Sequence, residues 1–309
     1  TICLTWMCFS LSAQKIIDLS GKWSFSIDRQ DNGEKEKWFS HTLNDFINLP
    51  GSMPEKLKGD EVTAKTQWTG SLYDSSYYYN PYMEKYRKEG NIKFPFFLTP
   101  DKHYVGAAWY QKEVNIPADW KGERILLFLE RPHIETTVWV NGQKTGMQNS
   151  LCVPHQYDIT RYVRPGKCTI TIRVDNRIKE INVGPDSHSI TDQTQGNWNG
   201  IVGRICLQTT PKTYFDDIQI YPEPEQKLAR VKVVIKGAGI TKIKLSAESF
   251  NTDKKHIVPA IQQEIKLNKG VTETEMVLPM GNDMLLWDEF HPALYKLKAE
   301  VTNGKKTEI

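Results

Sequence analysis

The chain has 309 residues, enough for two domains of ordinary size, and its 40 Lys and Arg nearly balance 37 Asp and Glu, a net charge of +3. Basic and acidic residues are interspersed, so the dense basic stripe of a nucleic-acid-binding protein is absent from the sequence and no nucleic-acid partner is expected. Nine Trp, thirteen Tyr and eleven Phe can fill β-sandwich cores, and they are also compatible with sugar binding.

The first residues have the pattern of a targeting segment. Ile2 to Leu11 is apolar and contains no acidic residue, and the small residues Ser12 and Ala13 follow it. This pattern is typical of a secretory signal peptide and its cleavage site. We therefore assign 1–13 to the remnant of a signal peptide and expect an exported protein, periplasmic or extracellular. A core strand or helix is the alternative. No other segment approaches the ~18 apolar residues of a membrane span.

Alternating apolar residues predict β-strands through most of 14–221. Trp23, Phe25 and Ile27 would share one face of an early strand. Within 106–146 three strands are expected. The first has Tyr110, Val114 and Ile116 on one face and a solvent-exposed opposite face. The second, 124–130, has the apolar run of a strand covered on both faces. The third ends at an Asn141-Gly142 hairpin turn.

Cysteines and histidines give no sign of a metal site. Cys152, Cys168 and Cys206 remain after the signal, without a C-x-x-C pair, and Cys168 is in phase with the apolar face of 168–176. We expect Cys168 to be a buried apolar residue; one disulfide stays possible in an exported protein. The seven His lack i, i+4 pairing, and there is no P-loop or G-x-G-x-x-G, so no metal or cofactor is expected.

A second domain is predicted for 222–309. Pro222 and Pro224 mark its start, since proline disrupts strand ladders. Short alternating strands follow, around 231–235, 243–247, 265–267 and 295–301, with no convincing helix. Several short strands at close spacing favour a small immunoglobulin-like sandwich.

The residue sequences of several predicted strands resemble those of one family. Ala108-Trp109-Tyr110 and Val138-Trp139-Val140-Asn141-Gly142 are similar to the N-terminal sugar-binding module of glycoside hydrolase family 2, which includes β-galactosidases, β-glucuronidases and β-mannosidases. Leu286-Trp287, Pro292 and Leu294-Tyr295 match a later signature of the same family. The resemblance implies a jelly-roll sandwich followed by an immunoglobulin-like sandwich, and it implies structural roles for Trp109, Trp139 and Trp287.

The resemblance also implies where catalysis takes place. Retaining glycosidases use two carboxylates, which in this family are Glu residues on a (β/α)8 barrel that follows the second sandwich. The family's acid/base Glu follows an Asn, and no Asn in this sequence is followed by Glu. We therefore expect no catalytic residue here and a barrel further along the protein. The neighbouring carboxylates Asp216-Asp217 and Asp288-Glu289 are better explained as turn or surface residues.

One polar loop is the best candidate for contact with substrate. In the family, the loop before the closing Gly-Ile strand reaches the terminal sugar, and here that loop is 188–199. By position, the resemblance predicts Asp192, Gln195, Asn197 and Trp198 as substrate-binding residues, with the family's acidic contact at Asp192 or Asn197. A self-satisfied loop with Trp198 in the core is the alternative. The aromatic-rich, irregular segment 68–97 is a second candidate for lining the substrate pocket.

The expected function is therefore that of the N-terminal, non-catalytic part of an exported glycoside hydrolase. Its substrate would be an oligosaccharide or other glycoside, and β-galactoside is preferred over β-glucuronide, β-mannoside and β-glucosaminide. The rival interpretation is a free-standing carbohydrate-binding or adhesion protein built from two sandwiches. Oligomeric state is left open.

Overall fold

The computed structural model describes residues 15–70, 75–96, 98–179, 188, 191–194, 196–304 and 306–308. The predicted signal segment 1–13 lies outside them. Across these residues no helix is long and apolar enough to cross a membrane. The chain divides into two compact units, Ile16–Thr209 and Thr210–Ile309. Each unit is described by itself.

The first unit is built almost entirely of β-strands. In chain order they are β1 Ile16–Asp18, β2 Gly21–Asp28, β3 Asp45–Leu49, β4 Gly51–Ser52, β5 Asp60–Glu61, β6 Lys102–His103, β7 Ala107–Ile116, β8 Arg124–Pro132, β9 Glu135–Val140, β10 Gln143–Asn149, β11 His155–Asp158, β12 Gly166–Asp175 and β13 Gly200–Thr210. A four-residue helix, α1 Ser76–Tyr79, and the 3-10 helices Trp38–Ser40, Pro81–Tyr86 and Ala118–Trp120 lie between them.

Two antiparallel sheets form the jelly-roll sandwich. One has the order β1-β13-β8-β11, with β4 on β13, and the other has the order β10-β9-β12-β7-β2-β3. The predicted inward residues Trp23, Phe25 and Tyr110 are each at most 1% exposed and lie in the core between the sheets. The family's fold class is therefore confirmed, and so is the face of β2 and β7 that the alternation assigned to the core.

The face of β7 opposite the core is exposed at Glu113 and Asn115, as the alternation predicts, but it is covered at Gln111. Gln111 of β7 is only 8% exposed, and its amide donates to His41 O at 3.1 Å. The segment between β2 and β3 lies over this face, with Trp38 and Phe39 packed on Trp109 and Trp139. A period-2 pattern reports which residues share a face, and only the fold decides what lies against that face.

The hairpin between β9 and β10 is the predicted one. Asn141 and Gly142 have φ of 49° and 77°, and Gln143 pairs with Val140 across the turn. Both turn residues thus lie in the left-handed region, which Asn and Gly adopt at low cost.

Cys152, Cys168 and Cys206 are free cysteines in the described chain. Cys168 is 1% exposed, as the alternation predicted. Burial raises the pKa of its thiol to about 11, so it stays protonated and behaves as an apolar residue.

In its described residues the second unit has five strands, and two of them are much longer than the predicted ones. They are β14 Tyr214–Glu223, β15 Leu228–Phe250, β16 Ile257–Pro279, β17 Leu294–Asn303 and β18 Lys306–Glu308, with a 3-10 helix at Pro224–Gln226. One end of β15 pairs with β14 and the other with β17, and β16 pairs along both halves of β15. Irregularities at Gly237/Gly239 let β15 bend without leaving the ladder.

The two halves of these long strands face each other across one core. Val231 and Val233 from the first half of β15 pack in the same cluster as Ile243 and Leu245 from its second half. This is the immunoglobulin-like sandwich. Because β14 pairs with β15, the compact units divide at Thr209–Thr210, upstream of the boundary predicted at 221/222. Trp287, which the sequence suggested as structural, is 61% exposed.

Candidate functional site

The loop that precedes β13 is held by the carboxylate of Asp192. Its Oδ2 accepts from the backbone N–H of Thr69 at 2.6 Å, and its Oδ1 accepts from the backbone N–H of Asn197 at 2.5 Å. The Asp192 N–H in turn donates to Thr69 O at 3.1 Å. Asp192 is 2% exposed, so both oxygens are occupied inside the protein.

Asn197 makes the second connection between the same segments. Its amide nitrogen donates to Thr69 Oγ1 and to Asn176 O, both at 3.0 Å, and its oxygen accepts from Asn176 Nδ2 at 3.1 Å. Asn197 is 3% exposed, and its amide group is hydrogen-bonded within the protein. Asp192 and Asn197 therefore fix the loop against Thr69 and the end of β12.

Two further amides complete this network, and the sequence did not single them out. Asn176 Oδ1 accepts from Gly106 N–H at 2.8 Å. Asn199 donates to Gly106 O and Val174 O at 2.9 and 3.0 Å and accepts from the Tyr110 hydroxyl at 2.8 Å. Both amides are fully buried at the ends of β12 and β13. Their partners are distant in sequence, so no local pattern identifies them.

Trp198 lies between these buried residues but is itself half-buried. Its ring stacks on His133, with centroids 4.6 Å apart and an 18° angle between the planes. Burial lowers the pKa of His133 to about 4, so the imidazole is neutral near pH 7. Trp198 thus sits partly in the interior, as the structural alternative expected, and keeps part of its ring accessible. Gln195 lies outside the described residues, and substrate contact by any of the four residues stays a prediction.

A charged cluster anchors the chain just before the loop. The Asp175 carboxylate is fully buried and lies 2.6 Å from Arg177 Nη2, 2.9 Å from Lys179 Nζ and 3.1 Å from Arg173 Nη2. Burial alone would raise the pKa of Asp175, but hydrogen bonds from Arg177 and Lys179 hold it far below its usual value. The carboxylate is ionised at all ordinary pH and binds the end of β12 to the residues that follow.

Residues of the irregular segment 68–97 form an aromatic cluster together with His103 of β6. We use this name for Trp68, Tyr77, Phe94, Phe96 and His103. The Trp68 ring meets Phe94 at 4.8 Å, Phe96 at 5.1 Å and His103 at 4.6 Å between centroids. His103 Nε2 also lies 3.9 Å from Asp192 Oδ2. The two segments that the sequence offered as separate candidates therefore touch each other.

A cleft of about 1070 Å³ is lined in part by Phe94 and Phe96 of the aromatic cluster. We call it the 61–101 cleft, since every residue that lines it comes from that segment: Glu61, Val62, Thr63, Ala64, Lys65, Arg87, Glu89, Gly90, Asn91, Ile92, Lys93, Phe94, Phe96, Thr99, Pro100 and Asp101. Phe94 and Phe96 link it through Trp68 to Thr69, and thus to the loop held by Asp192.

The neighbouring carboxylates outside this region have structural partners. Asp216 pairs with Lys236 at 3.0 Å, and Asp288 accepts from the backbone N–H groups of Phe290 and His291 at 2.8 and 2.7 Å. Within the described ranges, no group of three or more His, Cys, Asp or Glu side chains is arranged to hold a metal ion. Neither carboxylate pair resembles the two facing carboxylates of a glycosidase centre.

Both sandwiches match models of one protein family. Residues 16–211 match the family model described as "Glycosyl hydrolases family 2, sugar binding domain", and residues 213–309 match the model "Glycosyl hydrolases family 2". The chain therefore belongs to glycosyl hydrolase family 2.

The alignments with individual relatives cover most of this chain but less than half of each relative's own length. Human β-glucuronidase is 24% identical over 92% of the chain and 41% of its own length. The β-galactosidase of Thermoanaerobacter pseudethanolicus is 24% identical over 68% of the chain and 28% of its own length. The solved structure of a β-glucuronidase from an uncultured Clostridium species has the same fold, with a TM-score of 0.59 and 20% identity over 96% of the chain and 44% of its own.

Proposed function

We propose that this chain is the N-terminal, non-catalytic part of a β-glucuronidase. The observation that carries the proposal is the extent of the match. β-Glucuronidases match along nearly the whole chain: the human enzyme aligns over 92% of it and the Paenibacillus borealis enzyme over 94%, each at 24% identity. This favours a terminal β-glucuronide over the β-galactoside that the sequence alone suggested. β-Mannoside and β-glucosaminide are the alternative substrates in the aryl β-glycoside assay described below.

Hydrolysis itself is proposed to need a part of the protein beyond these two sandwiches. A retaining glycosidase places two carboxylates roughly 5–5.5 Å apart, one as nucleophile and one as acid and base. The buried carboxylates Asp175 and Asp192 are instead occupied by cations and backbone N–H groups of the protein. Since the chain spans 41% of the human relative, there is room for a catalytic domain in the whole protein.

The loop 188–199 is the proposed point of contact with the sugar. Trp198 offers a partly accessible ring, and an aromatic face suits the apolar face of a pyranose. Asp192 and Asn197, whose polar atoms are all engaged, act in this conformation by positioning Trp198. They would touch a sugar only after the loop separates from Thr69.

Export is part of the same proposal. It is supported by the apolar residues Ile2 to Leu11 and the small residues after them. Cell fractionation of the full-length protein tests it: export predicts that the protein accumulates outside the cytoplasm, and retention in the cytoplasm would contradict it.

The full-length protein should be assayed on aryl β-glycosides. We expect kcat/KM for the β-glucuronide to exceed that for the β-galactoside by at least about tenfold, because a site that pairs the uronate carboxylate rejects the analogue without it. The 309-residue chain assayed alone is the control and should show no turnover. A preference for galactoside would overturn the proposed substrate. A full-length protein without any glycosidase activity would favour a carbohydrate-binding or adhesion protein.

A further inference from the structure

Large apolar side chains are exposed together at one end of the second unit. We call Phe250, Leu286, Trp287, Phe290 and Leu294 the end patch. Their exposed fractions are 37%, 60%, 61%, 81% and 42%, in that order. Phe250 and Leu294 lie directly opposite each other on β15 and β17, so their side chains share one face. Large exposed apolar patches mark places where a protein meets another surface.

The loop between β16 and β17 brings the other three residues of the end patch to this face. Trp287 and Pro292 form a β-bridge, so the loop folds back on itself. The amide of Asn251, the residue after Phe250, donates to Pro292 O at 2.8 Å. The folded loop therefore lies beside the end of β15 that carries Phe250, and the whole end patch is gathered at one end of the sandwich.

This loop is ordered by hydrogen bonds of its own. Asp288 Oδ1 accepts from the backbone N–H groups of Phe290 and His291 at 2.8 and 2.7 Å. The Leu285 N–H donates to the Tyr295 hydroxyl at 2.9 Å. The exposed rings of the loop are therefore held by a fixed backbone, and packing another surface on them costs little conformational entropy.

Charged side chains surround the end patch. Asp288 and Glu289 are exposed on the loop, and Lys296 Nζ lies 4.9 Å from the centre of the Phe250 ring. An apolar centre with a polar rim is the usual anatomy of a protein–protein interface, and Trp and Phe are enriched at such interfaces. The end patch therefore fits the surface of another folded protein domain.

The direction of β18 indicates which domain would cover the end patch. β18 is antiparallel to β17 and runs from a position opposite Asn303 to a position opposite Val301, so it is directed toward Leu294, where β17 begins. Leu294 and Val301 are about 24 Å apart along β17, at about 3.4 Å per residue. The chain spans 41% of human β-glucuronidase, so a longer protein has a further part to place. A segment that continued β18 in the same direction would reach the end patch.

We propose that the end patch is the docking surface for the part of the full-length protein that follows the second unit, which covers Trp287 and Phe290 with an apolar surface of its own. This rests on the proposed function, which assigns hydrolysis to a further domain, and it names the residues through which the second unit holds that domain. The contact fixes the position of the domain and takes no part in the chemistry. A second copy of the protein on the same patch is the alternative that the tests below separate.

Hydroxyl-radical footprinting of the full-length protein tests the proposal without any assay of hydrolysis. Mass spectrometry compares the oxidation rates of Trp287 and Phe290 in the native protein with their rates in its tryptic peptides, where both rings are free. A docked domain should lower both rates by about tenfold or more, since aromatic residues at the centre of an interface are fully desolvated. Trp109, which is 0% exposed, is the reference for a buried ring. Rates within about twofold of the peptide rates, as exposures of 61% and 81% predict for an uncovered patch, would overturn the proposal.

A photo-reactive side chain at position 290 identifies what covers the patch. Benzoylphenylalanine in place of Phe290 keeps an aromatic ring and forms a covalent bond with the surface that it touches on illumination. The proposal predicts a product with the mass of one chain, in which position 290 is joined to a residue after 309. A product of twice that mass would show a second copy on the patch, and a bond to a residue within 1–309 would show that the patch folds onto this chain. Either of these two results would overturn the proposal.

Phe290→Asp tests what the contact contributes to stability. In the full-length protein the new charge would lie against an apolar surface, which should lower the thermal midpoint by about 4 °C or more. Ile240→Asp is the matched control, because Ile240 is 63% exposed and lies beside the bulge at Gly237/Gly239, away from the end of β15 that carries Phe250. Equal midpoints of the two variants would contradict docking at Phe290.

These outcomes are separable from those of the proposed function. Covered rings in a full-length protein that hydrolyses no aryl β-glycoside would leave the docking surface in place and remove the proposed β-glucuronidase activity. Exposed rings in an active β-glucuronidase would remove the docking surface and leave the proposed function in place.

Discussion

The carboxylate of Asp192 accepts a 2.6 Å hydrogen bond from the backbone N–H of Thr69, 123 positions earlier in the chain. Together with Asn197, it joins the polar loop before β13 to the irregular segment that carries the aromatic cluster. Two regions that the sequence offered as alternative contributors to a sugar site are thus one connected structure. Most of our predictions concern this connection and the groups that support it.

Asp192→Asn should destabilise the first unit. An amide oxygen can accept from one of the two backbone N–H groups, but its NH2 group then faces the other donor, and leaving a buried donor unpaired costs about 1–3 kcal/mol. Thermal or denaturant unfolding measures the change. Asp253→Asn is the control, because Asp253 is exposed and has no side-chain hydrogen bond within the described part of the chain. Equal stability of the two variants would show that the carboxylate does not hold the loop.

His133 should make the protein less stable as the pH falls from about 6.5 to about 4. Its pKa is lowered from 6.5 to about 4 by burial, so in this window the unfolded chain binds a proton that the folded chain does not. The accumulated loss is about 2–4 kcal/mol. His133→Phe keeps a ring against Trp198, and its free energy of unfolding should depend less on pH between about 6.5 and about 4. If the unfolding free energy of the variant changed with pH as steeply as that of the wild type, His133 would not be the group responsible.

Asp175→Asn should cost about 3–5 kcal/mol, because it removes a fully buried carboxylate that Arg173, Arg177 and Lys179 share, and it leaves the buried Arg173 without that partner. The folded-state pKa of Asp175 is depressed, so its contribution is present above about pH 4 and is lost as the pH falls below that value. The difference between wild type and variant should therefore shrink below pH 4. Glu113→Gln removes an exposed pair with Lys167 and should change stability by less than about 1 kcal/mol.

Gly200→Ala should disturb the start of β13 next to the loop. Gly200 has φ of +145°, and a Cβ there would lie 2.5 Å from Gly51 O and 2.8 Å from Ser52 Cα, both backbone atoms of β4. We expect a loss of about 1–3 kcal/mol in unfolding free energy. Gly146→Ala is the matched control, since its Cβ would meet the Tyr157 ring at an ordinary 3.5 Å. Similar stability of the two variants would contradict the close approach of β4 and β13.

Trp198→Ala in the full-length protein should raise KM for an aryl β-glucuronide by about 3- to 10-fold, the effect of losing one aromatic contact. Trp198→Phe keeps a ring on His133 and should raise KM less. Unfolding of both variants is measured alongside, because a purely structural Trp198 would lower stability without changing KM. An unchanged KM in the Ala variant would remove Trp198 from the proposed contact.

Local patterns predicted the strands well where neighbours in sequence decide the outcome. The alternation of Trp23 and Phe25 identified the core face of β2, and Asn141-Gly142 identified the hairpin between β9 and β10. The same reasoning divided β15 into short strands, because a pattern broken at Gly237 and Gly239 looks like an interruption. In the structure these residues lie at bulges within one bent strand.

The sequence by itself determined the family, the two-sandwich architecture and the inward faces of the strands, because periodicity and short motifs depend on residues only a few positions apart. Tertiary structure alone decided that Gln111 is covered, that Asn176 and Asn199 are buried, and that Asp192 is bound to Thr69. It also decided that Phe94 and Phe96 line a cleft. A hydrogen bond or a covered face needs a particular partner, and partners up to 123 positions away are brought together only by the closed fold.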